Sequence, residues 1–146
     1  MANLYALDKT YMQMALDFAK LSKAVRAKVG AMMVTRQGII IPGVNGMPFG
    51  WGNVCEDKDS SGLLVTKKEV IHAEENCLLK AAREGVSSID ATVYVTLGPC
   101  SHCCGMLSQA GIKRIVYLDD YIGTSCIDEL TQRGIQIEKF SEIIPF

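Results

Sequence analysis

The stretch ATVYVTL, residues 91–97, constrains the fold more than any other. It is an apolar, β-branched run that stops at Gly98-Pro99 and passes at once into CSHCCGMLSQAG, which reads as a helix. A strand feeding directly into a helix start is the unit from which helix-covered sheets are built. The same alternation recurs along the chain. Asp8 caps a first helix in which Tyr11, Met14, Ala15, Phe18 and Ala19 recur at helical spacing, running to about Ser22. VGAMMVT (29–35) and GIIIPGV (38–44) flank turn residues around Gly38 and read as a hairpin, with Pro42 marking a bulge or a sheet edge. A second helix is expected from about Ala73 to Glu84, closed by Gly85. RIVYL (114–118), a helix from about 125 to 133, and IQIEKF (135–140) complete the pattern.

Strands alternating with helices in this order predict an α/β fold of three layers, α-β-α. Its sheet is covered on both faces, with a hairpin at one end and parallel strands after it. Between the hairpin and the second helix, NGMPFGWGNVCEDKDSSG (45–62) is rich in Gly, Asp, Asn and Ser and is too long for a mere connector, so it is a candidate binding loop. The 146 residues suit a single domain, 1–146, with no linker or internal repeat.

Charge narrows the partners. The net charge is only −1, yet no Asp or Glu occurs between Phe18 and Cys55, where Lys20, Lys23, Arg26, Lys28 and Arg36 all fall. A local basic excess in a neutral chain suits one small phosphorylated ligand better than a nucleic acid, whose binders are basic overall. A solvated helix face complementing its own dipole reads equally from the same residues. No export signal and no apolar run of membrane-spanning length is visible, so a soluble, cytoplasmic protein without membrane partners is expected.

Two helix starts carry the chemistry. His72 and Glu74 open one, and Cys100 and Cys103 open the next. A Cys-x-x-Cys in a first helical turn aims both sulfurs at one point, and the exposed N–H groups there favour thiolates. One histidine and two thiolates give Zn2+ three protein ligands and leave a fourth position open, the mark of a catalytic rather than a structural site. Glu74 then stands beside the metal as a proton carrier. Taken alone, Cys-x-x-Cys also reads as a redox pair and His-x-Glu as chance. In the order His-x-Glu, then Pro-Cys-x-x-Cys, the two together resemble the signature of zinc-dependent deaminases. A closed structural site needs a fourth ligand. His102 lies between the two ligating cysteines and does not easily reach the same ion. The other cysteines, Cys55, Cys77, Cys104 and Cys126, read by default as free buried thiols.

The chain resembles the deoxycytidylate deaminases of the cytidine-deaminase superfamily over nearly its whole length. The resemblance is carried by RAKVGAMMV (26–34), VNGMPFG (44–50), VIHAEENCLLKAAREG (70–85), ATVYVTLGPCSHC (91–103) and QAGIKRIVYLDDY (109–121). It implies a five-stranded mixed sheet, a homo-oligomer with a hexamer favoured, one Zn2+ per chain, and conversion of dCMP to dUMP and ammonia as a precursor for thymidylate. On the matching positions it implies His72, Cys100 and Cys103 as metal ligands, Glu74 as the catalytic acid and base, Asn45 on the deoxyribose or base edge, and Tyr121 stacked on the pyrimidine. The residues themselves suggest Arg26 and Lys28 for the phosphate and the Ala73 N–H for the cytosine carbonyl. Relatives of this kind are also activated by dCTP and inhibited by dTTP with Mg2+ at a loop matching Asn45, Gly46 and Pro48. Here Val44 replaces the usual Tyr and the loop is short, which bears on control more than on catalysis. Deamination of dCTP, a 5-modified dCMP, a nucleoside or a tRNA base is the alternative enzyme reading, and a non-catalytic nucleotide-binding zinc protein the alternative outside enzymes.

Overall fold

The computed structural model describes residues 4–121 and 126–143. Helix α1 (Leu4–Ala19) precedes β1 (Gly30–Val34) and β2 (Ile40–Val44), and a short hairpin follows, β3 (Glu56–Lys58) and β4 (Leu64–Thr66). Then come α2 (Ala73–Glu84), β5 (Thr92–Leu97), α3 (Ser101–Gln109), β6 (Arg114–Asp119), α4 (Ile127–Gln132), β7 (Gln136–Lys139) and α5 (Phe140–Ile143). The main sheet has five strands in the order β2-β1-β5-β6-β7. β1 runs antiparallel to both β2 and β5, while β5, β6 and β7 are parallel. The mixed sheet with an antiparallel hairpin at one end is the arrangement expected from the sequence, and Pro42 sits on its edge strand.

Period-two alternation divides the strands between two cores. Ala31, Met33, Val93, Val95 and Ile115 pack with Ala73, Cys77 and Ala81 of α2, Leu107 of α3 and Leu130 of α4. Met32, Tyr94 and Val116 point the other way, onto Met12 and Ala15 of α1 and onto Phe140. Two glycines let the layers approach. A Cβ at Gly30 would strike the Ala15 carbonyl of α1, and one at Gly43 the Ala73 carbonyl of α2.

The structure corrects the sequence reading at several places. Asp8 is not a cap. It lies inside α1, which ends at Ala19, and is 3% exposed. Its carboxylate accepts both Arg114 Nη atoms at 2.7 Å and the Tyr94 hydroxyl at 2.6 Å. Glu138 takes a further side of the same guanidinium, so one charged network ties α1 to β5, β6 and β7. The loop at 45–62 is only partly irregular, because its last residues enter the β3–β4 hairpin. Cys104 and Cys126 are not independent thiols. They pair as a disulfide between α3 and the residue before α4, with Cα atoms 6.2 Å apart. Only the fold brings them together, since the cysteines are 22 residues apart in sequence. Cys55 and Cys77 are buried and free, as expected. The expected start of α4 near Ser125 lies outside the described residues. Among the described residues, no helix is long and apolar enough to cross a membrane.

Candidate metal centre and nucleotide pocket

The metal-ligand candidates occupy equivalent positions on two helices. His72 is the N-cap residue of α2 and Cys100 the N-cap residue of α3, both with extended backbone. Each helix therefore presents its unpaired first-turn N–H groups and positive dipole end to the same space. His72 Nδ1 stands 3.2 Å from Cys103 Sγ and 3.5 Å from Cys100 Sγ, and the three ligand atoms lie within 4.8 Å of one another. A tetrahedral zinc ion, bonded at about 2.0 Å to nitrogen and about 2.3 Å to sulfur, needs donors roughly 3.5 Å apart. The donor set fits Zn2+ in type, number and spacing. Hydrogen bonding from Cys103, and then from His72, holds Cys100 far below the ordinary thiol range, which favours the thiolate form a metal ligand needs.

Glu74 lies two residues after the histidine, in the first turn of α2, and is 4% exposed. Burial pushes its carboxyl up to about 7, outweighing the opposing pull of its own backbone N–H, His72 and Cys103. A carboxyl that gains and loses its proton near neutrality is suited to general acid and base work.

Glu75, the next residue, has a structural function. Its Oε1 accepts the backbone N–H of His72 at 3.1 Å, completing a capping box that fixes the start of α2. Its other oxygen lies 3.6 Å from Nε2 of the exposed His102. Asn76, a family match with no evident function in the sequence, donates Nδ2 to the Val44 carbonyl at 3.0 Å and anchors α2 to the end of β2.

His72, Glu74 and Cys100 open into a cavity of about 310 Å³, which Arg26, Asn45, Ala73 and Tyr121 also line. The structure thus brings together most of the residues singled out in the sequence. Lys28 is different: its ammonium turns back to the Ser22 carbonyl, and it does not line the cavity. Gly46 and Pro48 do not line it either. Gly46 pairs with Ile71 in a short bridge, and the Pro48 carbonyl accepts the Trp51 N–H at 3.0 Å. Asn45 lines the cavity but spends its side chain on the segment leading to β1. Nδ2 donates to the Ala27 carbonyl at 2.8 Å, and Oδ1 accepts the Val29 N–H at 2.9 Å and the Ser22 hydroxyl at 2.7 Å.

The zinc-binding region of cytidine and deoxycytidylate deaminases matches residues 6–119. The chain belongs to the cytidine and deoxycytidylate deaminase family. It is 34% identical to the deoxycytidylate deaminase of Schizosaccharomyces pombe over 141 residues, which cover 91% of this chain and 44% of that protein. It is 33% identical to the deoxycytidylate deaminase of Mycobacterium phage D29, covering 75% of this chain and 92% of the phage protein. Against the yeast relative, then, the chain spans less than half the length. Among solved structures, the dCMP deaminase of cyanophage S-TIM5 in complex with dCMP and dUMP superposes with a TM-score of 0.82. The two are 37% identical, and the match covers 92% of this chain and 96% of the other.

Within this family frame, sequence reasoning missed Glu56 and Thr66, which line the same cavity from the β3–β4 hairpin. The signal was present. Asp59-Ser60-Ser61-Gly62 is a turn, with Asp59 Oδ1 accepting the N–H groups of Ser61 and Leu63, and it separates two short strand-like segments.

Proposed function

We propose that this chain is a zinc-dependent hydrolytic deaminase that converts dCMP to dUMP and ammonia. The observation that carries the reading is one cavity onto which two members of a three-donor metal set, His72 and Cys100, open together with a buried carboxyl poised near neutral pH. A relative that binds dCMP and dUMP and matches nearly the whole chain supports the substrate.

His72, Cys100 and Cys103 would hold the ion, which when bound supplies the Lewis acidity that makes water a nucleophile near neutral pH. The protein's own contribution is proton movement and orientation. Glu74 takes a proton from the attacking water and delivers it to N3 of cytosine, making C4 electrophilic. It then takes the remaining proton of the hydroxyl added at C4 and gives it to the departing amine as the C4–N bond breaks and the C4 carbonyl forms, so one carboxyl serves both directions. The first-turn N–H of Ala73 faces the cytosine carbonyl, Tyr121 covers the ring, and the guanidinium of Arg26 receives the 5′-phosphate. Asn45 acts chiefly by holding the backbone of 27–29, and its second Nδ2 hydrogen is the one left to reach the sugar.

Assembly into a homo-oligomer belongs to the same reading. It is supported by Phe49, Trp51, Val54 and Leu63, large apolar side chains that stand exposed on the 45–66 segment. Control by dCTP or by dTTP with Mg2+ is tested alongside. Ammonia release from dCMP, dCTP, deoxycytidine and a tRNA stem-loop, each with and without those effectors, should single out dCMP in the zinc-loaded protein. No ammonia from any cytosine nucleotide would sink the reading.

A further inference from the structure

Arg26 stands in the stretch between α1 and β1, which has no regular secondary structure of its own. An arginine on such a stretch recognises a phosphate well only if something else fixes the backbone beneath it, because each freely rotating residue costs entropy on binding. The β3–β4 hairpin supplies that restraint. Glu56 is 8% exposed, and its Oε2 accepts two successive backbone N–H groups, Val25 at 2.9 Å and Arg26 at 3.0 Å. Directly across the hairpin, Glu56 pairs in register with Thr66, whose Oγ1 accepts the Arg26 Nη1 at 3.0 Å. One cross-strand pair therefore grips Arg26 at both ends, backbone and guanidinium.

The chemistry of Glu56 is unusual for its position. A carboxylate lining a pocket for an anion opposes binding unless its charge is already engaged, and a buried carboxylate is costly unless hydrogen-bonded. Two N–H donors on one oxygen meet both conditions. From the opposite side, Asn45 holds Ala27 and Val29, so the segment is clamped between β2 and the hairpin.

We propose that Glu56 is a positioning residue for the substrate's 5′-phosphate. It does not touch the phosphate. With Thr66 it fixes where Arg26 stands, which makes the β3–β4 hairpin the element that favours a phosphorylated nucleotide over the bare nucleoside. The proposal rests on reading the cavity as a deoxynucleotide site.

The test compares kcat and KM for dCMP and for deoxycytidine in the zinc-loaded full chain, with zinc content and melting temperature measured for each variant. Glu56→Ala should raise KM for dCMP about tenfold, the scale of a lost charge-assisted hydrogen bond, with kcat and the deoxycytidine constants changing far less. Glu56→Gln keeps an acceptor oxygen and should recover most of that loss. Thr66→Val, at an exposed position, should raise KM for dCMP by about threefold. An equal loss on both substrates, or a dCMP preference that survives Glu56→Ala, overturns the proposal. If Glu56→Ala does not fold, Thr66→Val decides: a rise confined to dCMP supports the proposal, and an equal change on both substrates or none overturns it. A wild-type chain that does not prefer dCMP over deoxycytidine would instead defeat the nucleotide reading itself.

Discussion

Two carboxyl groups are buried to the same degree on opposite faces of one sheet, Asp8 at 3% exposure and Glu74 at 4%. Asp8 is met by a bidentate guanidinium and a phenol, and it links α1 to the strands beneath. Among the described residues no cation forms a salt bridge with Glu74. Desolvation therefore dominates there and raises its carboxyl to about 7. Equal burial thus has opposite uses: a compensated charge acts as a strut, and an uncompensated one becomes a group whose proton can move at neutral pH.

Glu74→Gln should break the contrast most visibly. Turnover should fall by about 10²–10⁴-fold while zinc content stays near one per chain, measured by ammonia release and elemental analysis. Loss of the metal along with activity would reassign Glu74 to the ligand set. On the opposite face, Arg114→Met should leave Asp8 buried without its cation and cost about 3–5 kcal/mol in denaturant unfolding. If that variant unfolds normally, the network is not a strut.

A third outcome concerns pH. Because the folded carboxyl of Glu74 is raised above its ordinary value, its contribution to stability is fully present below about pH 4.5. It is lost as pH climbs through about 7. Chelator-treated wild type and Glu74→Gln should therefore melt alike near pH 4, and by pH 8 the Gln variant should be the more stable by up to about 3 kcal/mol. The other titrating groups are common to both proteins and largely cancel in this difference. Parallel melting curves at every pH would show that Glu74 is not desolvated. The smallest effect belongs to its neighbour. Glu75→Ala removes one half of a capping box and should cost about 1 kcal/mol of stability, with kcat changed little. A large fall in kcat instead would make Glu75 more than a cap.

Much of this was legible before any coordinates. The consecutive apolar residues of 91–97 demanded a strand covered on both faces, and His72, Glu74, Cys100 and Cys103 identified themselves because a metal site needs particular donor types at short, helix-start spacing. Asp8 misled because an acidic residue near a helix start has the same local signature as a cap. Only the fold reveals that α1 begins at Leu4 and that Arg114, 106 residues later, waits for that carboxylate. Lys28 and Arg26 were indistinguishable as cations two positions apart, yet the backbone turns one inward to the Ser22 carbonyl and the other to the cavity.

What the sequence by itself determined is therefore the layer architecture and the candidate reacting groups, both written in local periodicity and donor spacing. The tertiary structure alone decided which charges are compensated, that Cys104 meets Cys126, and that Glu56 on a three-residue strand reaches across to grip the Arg26 backbone. Those outcomes depend on contacts between residues tens of positions apart, and no short-range pattern encodes which partner closes such a distance.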